Sequence, residues 1–168
     1  MFTLGNECSG AAFSPCRTWR YQLWRRWNDA PLLILMGLNP STADESHNDP
    51  TITRCIGFAQ REGYGGLLML NLFAFRATAP HDLKKAQDPI GPENDAVIGA
   101  KCQNQDRVVV AWGNQGGFCG RDRIISTLLH SSSAKVECFG VTQSGRPRHP
   151  LYLKKDTPLV PWPAEGDR

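Results

Sequence analysis

Asn39, Asn71 and His149 are the side chains in this chain whose chemistry and placement point to a site, because each closes or follows an apolar, strand-like run. An asparagine amide offers a donor and an acceptor side by side, and at Asn71 that pair suits the edge of a pyrimidine. Asn39 could hold a water molecule, but an amide cannot take its proton as a carboxylate would. His149, neutral or charged, could donate a hydrogen bond to an oxygen on which negative charge develops. Such a set suits release of a good leaving group. Each residue also has a plainer reading. Asn39 before Pro40 is a common turn former, Asn71 could satisfy backbone at a strand end, and His149 could be an ordinary loop histidine.

A second group has phosphate-binding character. Glycines from Gly113 to Gly120 precede a helix start, where backbone N–H groups and the helix dipole can hold an anion. Gly116, Gly117 and Arg121 are the candidates there, with Ser41, Arg76 and Arg148 beside the other motifs. The loop lacks the Gly-Lys-Ser/Thr ending of a P-loop, and no G-x-G-x-x-G follows the first strand, so ATP hydrolysis and dinucleotide redox chemistry are not expected. As a plain turn, the loop would need no ligand at all. Asp44 and Asp49 read as caps of a turn or helix, and Asp95 as a solvent-facing charge.

The elements that must position these groups alternate between strand and helix. An edge strand is predicted near 19–27, where Trp19, Tyr21 and Leu23 alternate with polar residues. Runs at 32–38, 67–72 and 107–112 are continuously apolar, as strands buried on both faces of a parallel sheet must be, and 134–141 supplies a fourth. Asp49-Pro50 starts a helix over 50–62 with Ile52, Cys55, Ile56 and Ala59 on one face. Helix-permissive sequence near 81–87 and a helix over 92–104 follow, and a last helix after the glycine loop carries Ile124, Ile125, Leu128 and Leu129. The expected fold is α/β, a three-layer α/β/α sandwich around a mostly parallel four-stranded sheet, with 1–168 as one domain. Residues 1–16 read as a flexible lead-in, and the proline-rich tail over 157–168 as an extended surface segment. In an open parallel sheet the carboxyl ends of the strands share one edge, so Asn39, Asn71, Trp112 and His149 should border one pocket.

In their order and spacing these motifs resemble the uracil-DNA glycosylase superfamily from about residue 31 to 153. Gly37-Leu38-Asn39-Pro40 is similar to the first motif in its asparagine form, Asn71 to the base-reading asparagine that ends the second strand, Val109 to Gly113 to the third strand, and His149-Pro150 to the histidine-proline motif. The whole chain also resembles a bacterial and phage family catalogued as domain of unknown function 1643, on Asn-Pro-Ser-Thr-Ala-Asp at 39–44 and Asn-Leu-Phe-Ala-Phe-Arg-Ala-Thr at 71–78. The first resemblance implies a glycosylase-like fold, with Asn39 and His149 in catalytic roles and Asn71 and Trp112 binding a base.

Composition bounds the readings. A chain of 168 residues suffices for one core burying roughly 70% of its unfolded surface. No run of about 18 apolar residues could span a bilayer, and no signal-peptide order is visible, so a soluble, cytoplasmic protein without a membrane partner is expected. Six cysteines without a C-x-x-C pair argue for buried or incidental thiols, with no metal and no cofactor, an iron–sulfur site on Cys8 and Cys16 being the minor alternative. The net charge of +3 is small, but arginines cluster at 17–26, 121–123 and 146–148, either as solvated surface or as the footprint of nucleic acid. Three functions stay open: nucleobase recognition in nucleic acid (DNA ahead of RNA) or in a nucleotide, with N-glycosidic hydrolysis; a non-catalytic nucleic-acid or modified-base binding module; and an enzyme on a free nucleotide or small phosphorylated metabolite.

Overall fold

The computed structural model describes residues 8–163. Its centre is the run of parallel strands that the apolar segments predict: β3 (Leu32–Gly37), β4 (Gly66–Asn71), β5 (Arg107–Val110) and β6 (Lys135–Cys138). They stand in the order β4-β3-β5-β6, every neighbouring pair parallel. The chain thus steps from β3 to one side and then returns past it to the other, which leaves a crevice at the carboxyl ends.

The sheet has seven strands rather than the expected four. β2 (Arg20–Arg26) pairs antiparallel with β4, and β1 (Ser9–Phe13) covers β2, so β2 is not an edge and residues 9–13 of the expected lead-in are ordered in the sheet. Gly10 makes that cover close, since a Cβ there would stand 2.3 Å from the Trp24 ring. At the far side β7 (Val160–Pro161) pairs antiparallel with β6, both its residues exposed, so this part of the tail, expected to run extended over the surface, adds a strand to the sheet. The remainder of both predicted terminal segments, 1–7 and 164–168, lies outside the described residues.

Helices cover both faces. Alternate strand residues Leu33, Leu35, Leu67, Met69 and Val109 pack with Ile52, Cys55, Phe58 and Ala59 of α1 (Pro50–Arg61). The opposite set, Ile34, Met36, Leu68, Leu70, Val108 and Val110, packs with Leu83 of α2 (Pro80–Lys85), Ile98 and Cys102 of α3 (Asn94–Cys102) and Ile125 and Leu129 of α4 (Arg121–His130). Ile124, expected on that apolar face, points outward and is exposed. Cys55, Cys102 and Cys138 are buried, whereas Cys8, Cys16 and Cys119 are exposed. No helix is long and apolar enough to cross a membrane among the described residues.

Candidate functional site

The carboxyl ends of β3 and β4 lie in register, with Gly37 opposite Asn71, and the pairing runs on through Leu72 N–H to the Gly37 carbonyl at 2.9 Å and Phe73 N–H to Leu38 at 2.9 Å. Beyond that point the chains separate around a cavity of about 40 Å³ whose lining includes Arg20, Asn39, Ser41, Asp49, Asn71 and His149. Room of that size admits about one to three waters or one exocyclic group. Gly37 forms part of the wall, and a Cβ there would meet Asn71 Nδ2 at 3.0 Å and Met69 Cε at 2.5 Å.

Arg20 decides how Asn71 presents itself. Its guanidinium is 2% exposed and donates from Nη2 to Asn71 Oδ1 at 3.2 Å and from Nη1 to the Ala43 carbonyl at 3.2 Å. Arginine has no acceptor, so the amide oxygen must face it, leaving Asn71 Nδ2 as the free end. The donor–acceptor pair expected at Asn71 thus has its oxygen engaged by Arg20 and its donor end free toward a ligand. Arg20 Nε is buried and has no partner among the described residues. Burial pulls the Arg20 pKa down to about 10, while the charge of Asp49 works in the opposite direction.

Asp49 caps α1, with Oδ1 accepting from Ile52 N–H at 2.9 Å, and Oδ2 receives only a long 3.4 Å contact from Ala43 N–H. The cap expected from the sequence is present. The same carboxylate also lines the cavity, a placement that capping alone does not reveal. His149 follows a hairpin fixed by Val141 bridging Pro147, by Gly113 N–H to the Pro147 carbonyl at 2.8 Å and by Arg148 N–H to the Gly140 carbonyl at 3.0 Å. Leu151 N–H donates to His149 Nδ1 at 3.2 Å, which leaves the proton of a neutral ring on Nε2. Burial lowers the His149 pKa, Asp49 opposing it, so the ring is held neutral.

Asn39 is committed to the loop: Nδ2 donates to the Ala77 carbonyl at 2.8 Å and to the Pro40 carbonyl at 2.9 Å. It borders the cavity, as does Ser41, but its donors hold backbone together, in keeping with the turn-forming reading.

Trp112 does not join them. It is 1% exposed, packed in the core edge-on to Trp162 at 6.0 Å and under Gly116, where a Cβ would stand 2.1 Å from its ring. The glycine loop is a broken 3-10 segment, Asn114–Gly120, in which Gly116 is buried while Asn114, Gln115, Cys119 and Gly120 are exposed. Gly116 N–H donates to the Gly113 carbonyl at 3.2 Å, and the Arg146 guanidinium covers Gly117. Arg121, expected to meet phosphate, is 1% exposed and donates to the Leu72 carbonyl at 2.8 and 3.0 Å and to Asp95 at 2.7 Å. Asp95 faces solvent as expected and is also paired with Arg121. Arg25 is buried too, holding the carbonyls of Asp44 at 2.6 Å and His47 at 3.1 Å, so the first arginine cluster is partly internal scaffold.

Arg76 stays at the surface. With Arg17 it lines a groove of about 650 Å³ that shares Ser41 with the cavity and adds Thr18, Thr42 and Thr78. Both guanidinium groups lie over the Phe13 ring, Arg17 at 3.9 Å and Arg76 at 4.8 Å, and Arg17 is also paired with Glu45 at 2.6 and 3.1 Å, which leaves Arg76 as the groove's uncommitted cation among the described residues. Arg148, beside His149, is exposed.

The family model for DUF1643, a protein family of unknown function, matches residues 20–151. The chain belongs to that family. The DUF1643 match begins at Arg20 and ends just beyond His149, so it takes in every residue named here as lining the cavity. No curated protein and no solved structure matches the chain.

Proposed function

We propose that this DUF1643 protein recognises a nucleobase, in nucleic acid or in a nucleotide, with a carbonyl of the base presented to the cavity and phosphate lying in the Arg17–Arg76 groove. The observation that carries the reading is the convergence of unpartnered donors: Arg20 Nε, Asn71 Nδ2 and His149 Nε2 belong to residues lining one cavity that adjoins an arginine groove through Ser41. Donors of this kind select an acceptor atom and stabilise charge that grows on it. The likeness to uracil-DNA glycosylases gives that preference a reaction, hydrolysis of an N-glycosidic bond on a glycosylase-like fold.

In such a reaction Asp49, rather than Asn39, is the group able to take a proton from water, since Oδ2 has only a long partner and a carboxylate is a base where an amide is not. Neutral His149 would donate from Nε2 to the departing base, and Arg20 would keep Asn71 turned donor-first. Bond breaking places the electron pair on the base and the water oxygen on the sugar carbon.

The size of the cavity favours a second reading, a binding module without catalysis, because about 40 Å³ takes the edge of a base but not the whole ring. One experiment separates the two. The protein is incubated with oligonucleotides carrying uracil or modified pyrimidines, and abasic sites are scored after alkaline treatment. Base release that falls at least about tenfold in Asp49→Asn and in His149→Gln supports hydrolysis. Base-selective binding without release supports the module, and equal release in wild type and both variants rejects the assigned residues.

A further inference from the structure

A second arginine groove lies away from the cavity, along the outer face of α1. It encloses about 670 Å³ and is lined by Arg54, Gly57, Phe58 and Arg61 from the helix and by Lys155 from the turn that follows His149. No carboxylate lines it among the described residues. Arg54 and Arg61 are both set against the Phe58 ring, at 5.7 and 5.2 Å, repeating the device in which Arg17 and Arg76 share Phe13. Arg61 donates to the carbonyls of Lys155 at 3.0 Å and Thr157 at 2.5 Å, so the turn carrying Lys155 is strapped to the helix. Gly57 leaves the floor open, with nothing within 4 Å of where a Cβ would stand.

We infer that this groove binds the phosphodiester backbone of a single-stranded nucleic acid, extending past the cavity a track that starts at Arg17 and Arg76. The inference rests on the nucleic-acid form of the proposed function. Charge selects an anionic partner: Arg54 and Lys155 face one groove beside Arg61, which is paired with Glu62 at 3.3 Å, and Arg54 Nε is buried without a partner among the described residues. Tyr152 selects a strand over an acidic peptide. It lies in the turn leading to Lys155, is 92% exposed, and sits on left-handed backbone at φ 74°, a conformation unfavourable for a bulky residue. A basic groove with an exposed ring on the turn that leads to its Lys155 suits a single strand, the cations tracking phosphates and the ring stacking a base without regard to sequence. Position also agrees, since Thr51 and Ile52 of α1 border the cavity and Thr53 already lines the groove.

The test is fluorescence anisotropy of the full chain with labelled oligothymidylate of about 12 nucleotides across a salt series. Arg54→Gln with Lys155→Gln should weaken binding roughly tenfold at low salt and flatten the log–log salt slope by about 1.4, two contacts at about 0.7 each. Tyr152→Ala should weaken binding roughly tenfold with the slope unchanged, because stacking releases no counterion. Lys155→Glu alone, at an exposed position, guards against loss of folding in the double variant and should weaken binding in the same direction. Wild-type binding that none of these variants alters overturns the groove and leaves the cavity reading standing. Polyglutamate competing as well as the oligonucleotide overturns the choice of partner, and no wild-type binding to nucleic acid overturns both this inference and the nucleic-acid reading on which it rests.

Discussion

Replacing Asp49 in two ways separates two roles that the structure gives one carboxylate. Oδ1 caps α1 through Ile52 N–H at 2.9 Å, and the negative charge acts on Arg20, which is buried without a carboxylate in salt-bridge contact among the described residues. Asparagine caps a helix about as well as aspartate, so Asp49→Asn keeps the first role and removes the second. For groups within one polar network the coupling should be about 1–2 kcal/mol. Asp49→Ala removes the cap as well, adding about 1 kcal/mol, for a total loss of about 2–3 kcal/mol. Urea unfolding at pH 7 measures both, provided the m-value is unchanged. In an Arg20→Met background Arg25 is the remaining buried cation on which the Asp49 charge acts, so the cost of Asp49→Asn should fall by about 1 kcal/mol while the cap loss in Asp49→Ala persists. If Asp49→Asn costs the same in both backgrounds, its charge does not serve Arg20. If Asp49→Ala equals Asp49→Asn, the cap bond contributes nothing.

Gly37→Ala would push a methyl group against Asn71 Nδ2 and Met69 Cε, so it should cost about 1–3 kcal/mol in urea unfolding and weaken whatever binding the cavity supports. His149 gives a pH signature. Burial lowers its folded pKa below the unfolded value near 6.5, so the unfolded chain takes up the proton first and stability falls as pH drops from about 6.5 toward the folded pKa. Wild type minus His149→Gln, compared by thermal unfolding from pH 7.5 to 5, should show that loss; a flat difference would mean the ring is not held neutral.

The parallel core was legible because strands buried on both faces carry no polar residue in alternation, and the runs before Gly37, Asn71 and Trp112 have that signature. Asp49-Pro50 announced α1 through cap and N1 chemistry. β1 and β7 were not legible. Ser-Gly-Ala-Ala-Phe has no apolar period and pairs by backbone over a small-residue contact with Trp24, and β7 is two residues long beside prolines. Among the site residues, Asn39, Asn71 and His149 could be brought to one edge by topology alone. Buried arginines could not, because the usual surface preference of the residue hides Arg20, Arg25 and Arg121 until their carbonyl partners are seen. Trp112 followed its strand as expected, but its side chain points into the core, a matter of one-residue alternation that strand-end position does not fix.

Residues from the far side of the sheet hold the cavity wall from behind. At the end of β4 the Asn71 carbonyl accepts from Asn94 Nδ2 at 3.0 Å, and the Leu72 carbonyl accepts from Asn94 at 3.1 Å and from Arg121 at 2.8 and 3.0 Å. Those donors come from α3 and α4, on the face opposite α1. On the cavity side Arg20 holds the Asn71 amide oxygen, and the missing side chain of Gly37 leaves room for Nδ2, which a Cβ there would meet at 3.0 Å. Arg121 thus reaches the site through the backbone of β4 rather than through phosphate. Asn71 is pinned at its backbone from one layer and at its side chain from another, so its Nδ2 is aimed before any ligand arrives. An acceptor atom entering the cavity then meets a donor that need not reorient, the condition under which a hydrogen bond discriminates between bases at little ordering cost.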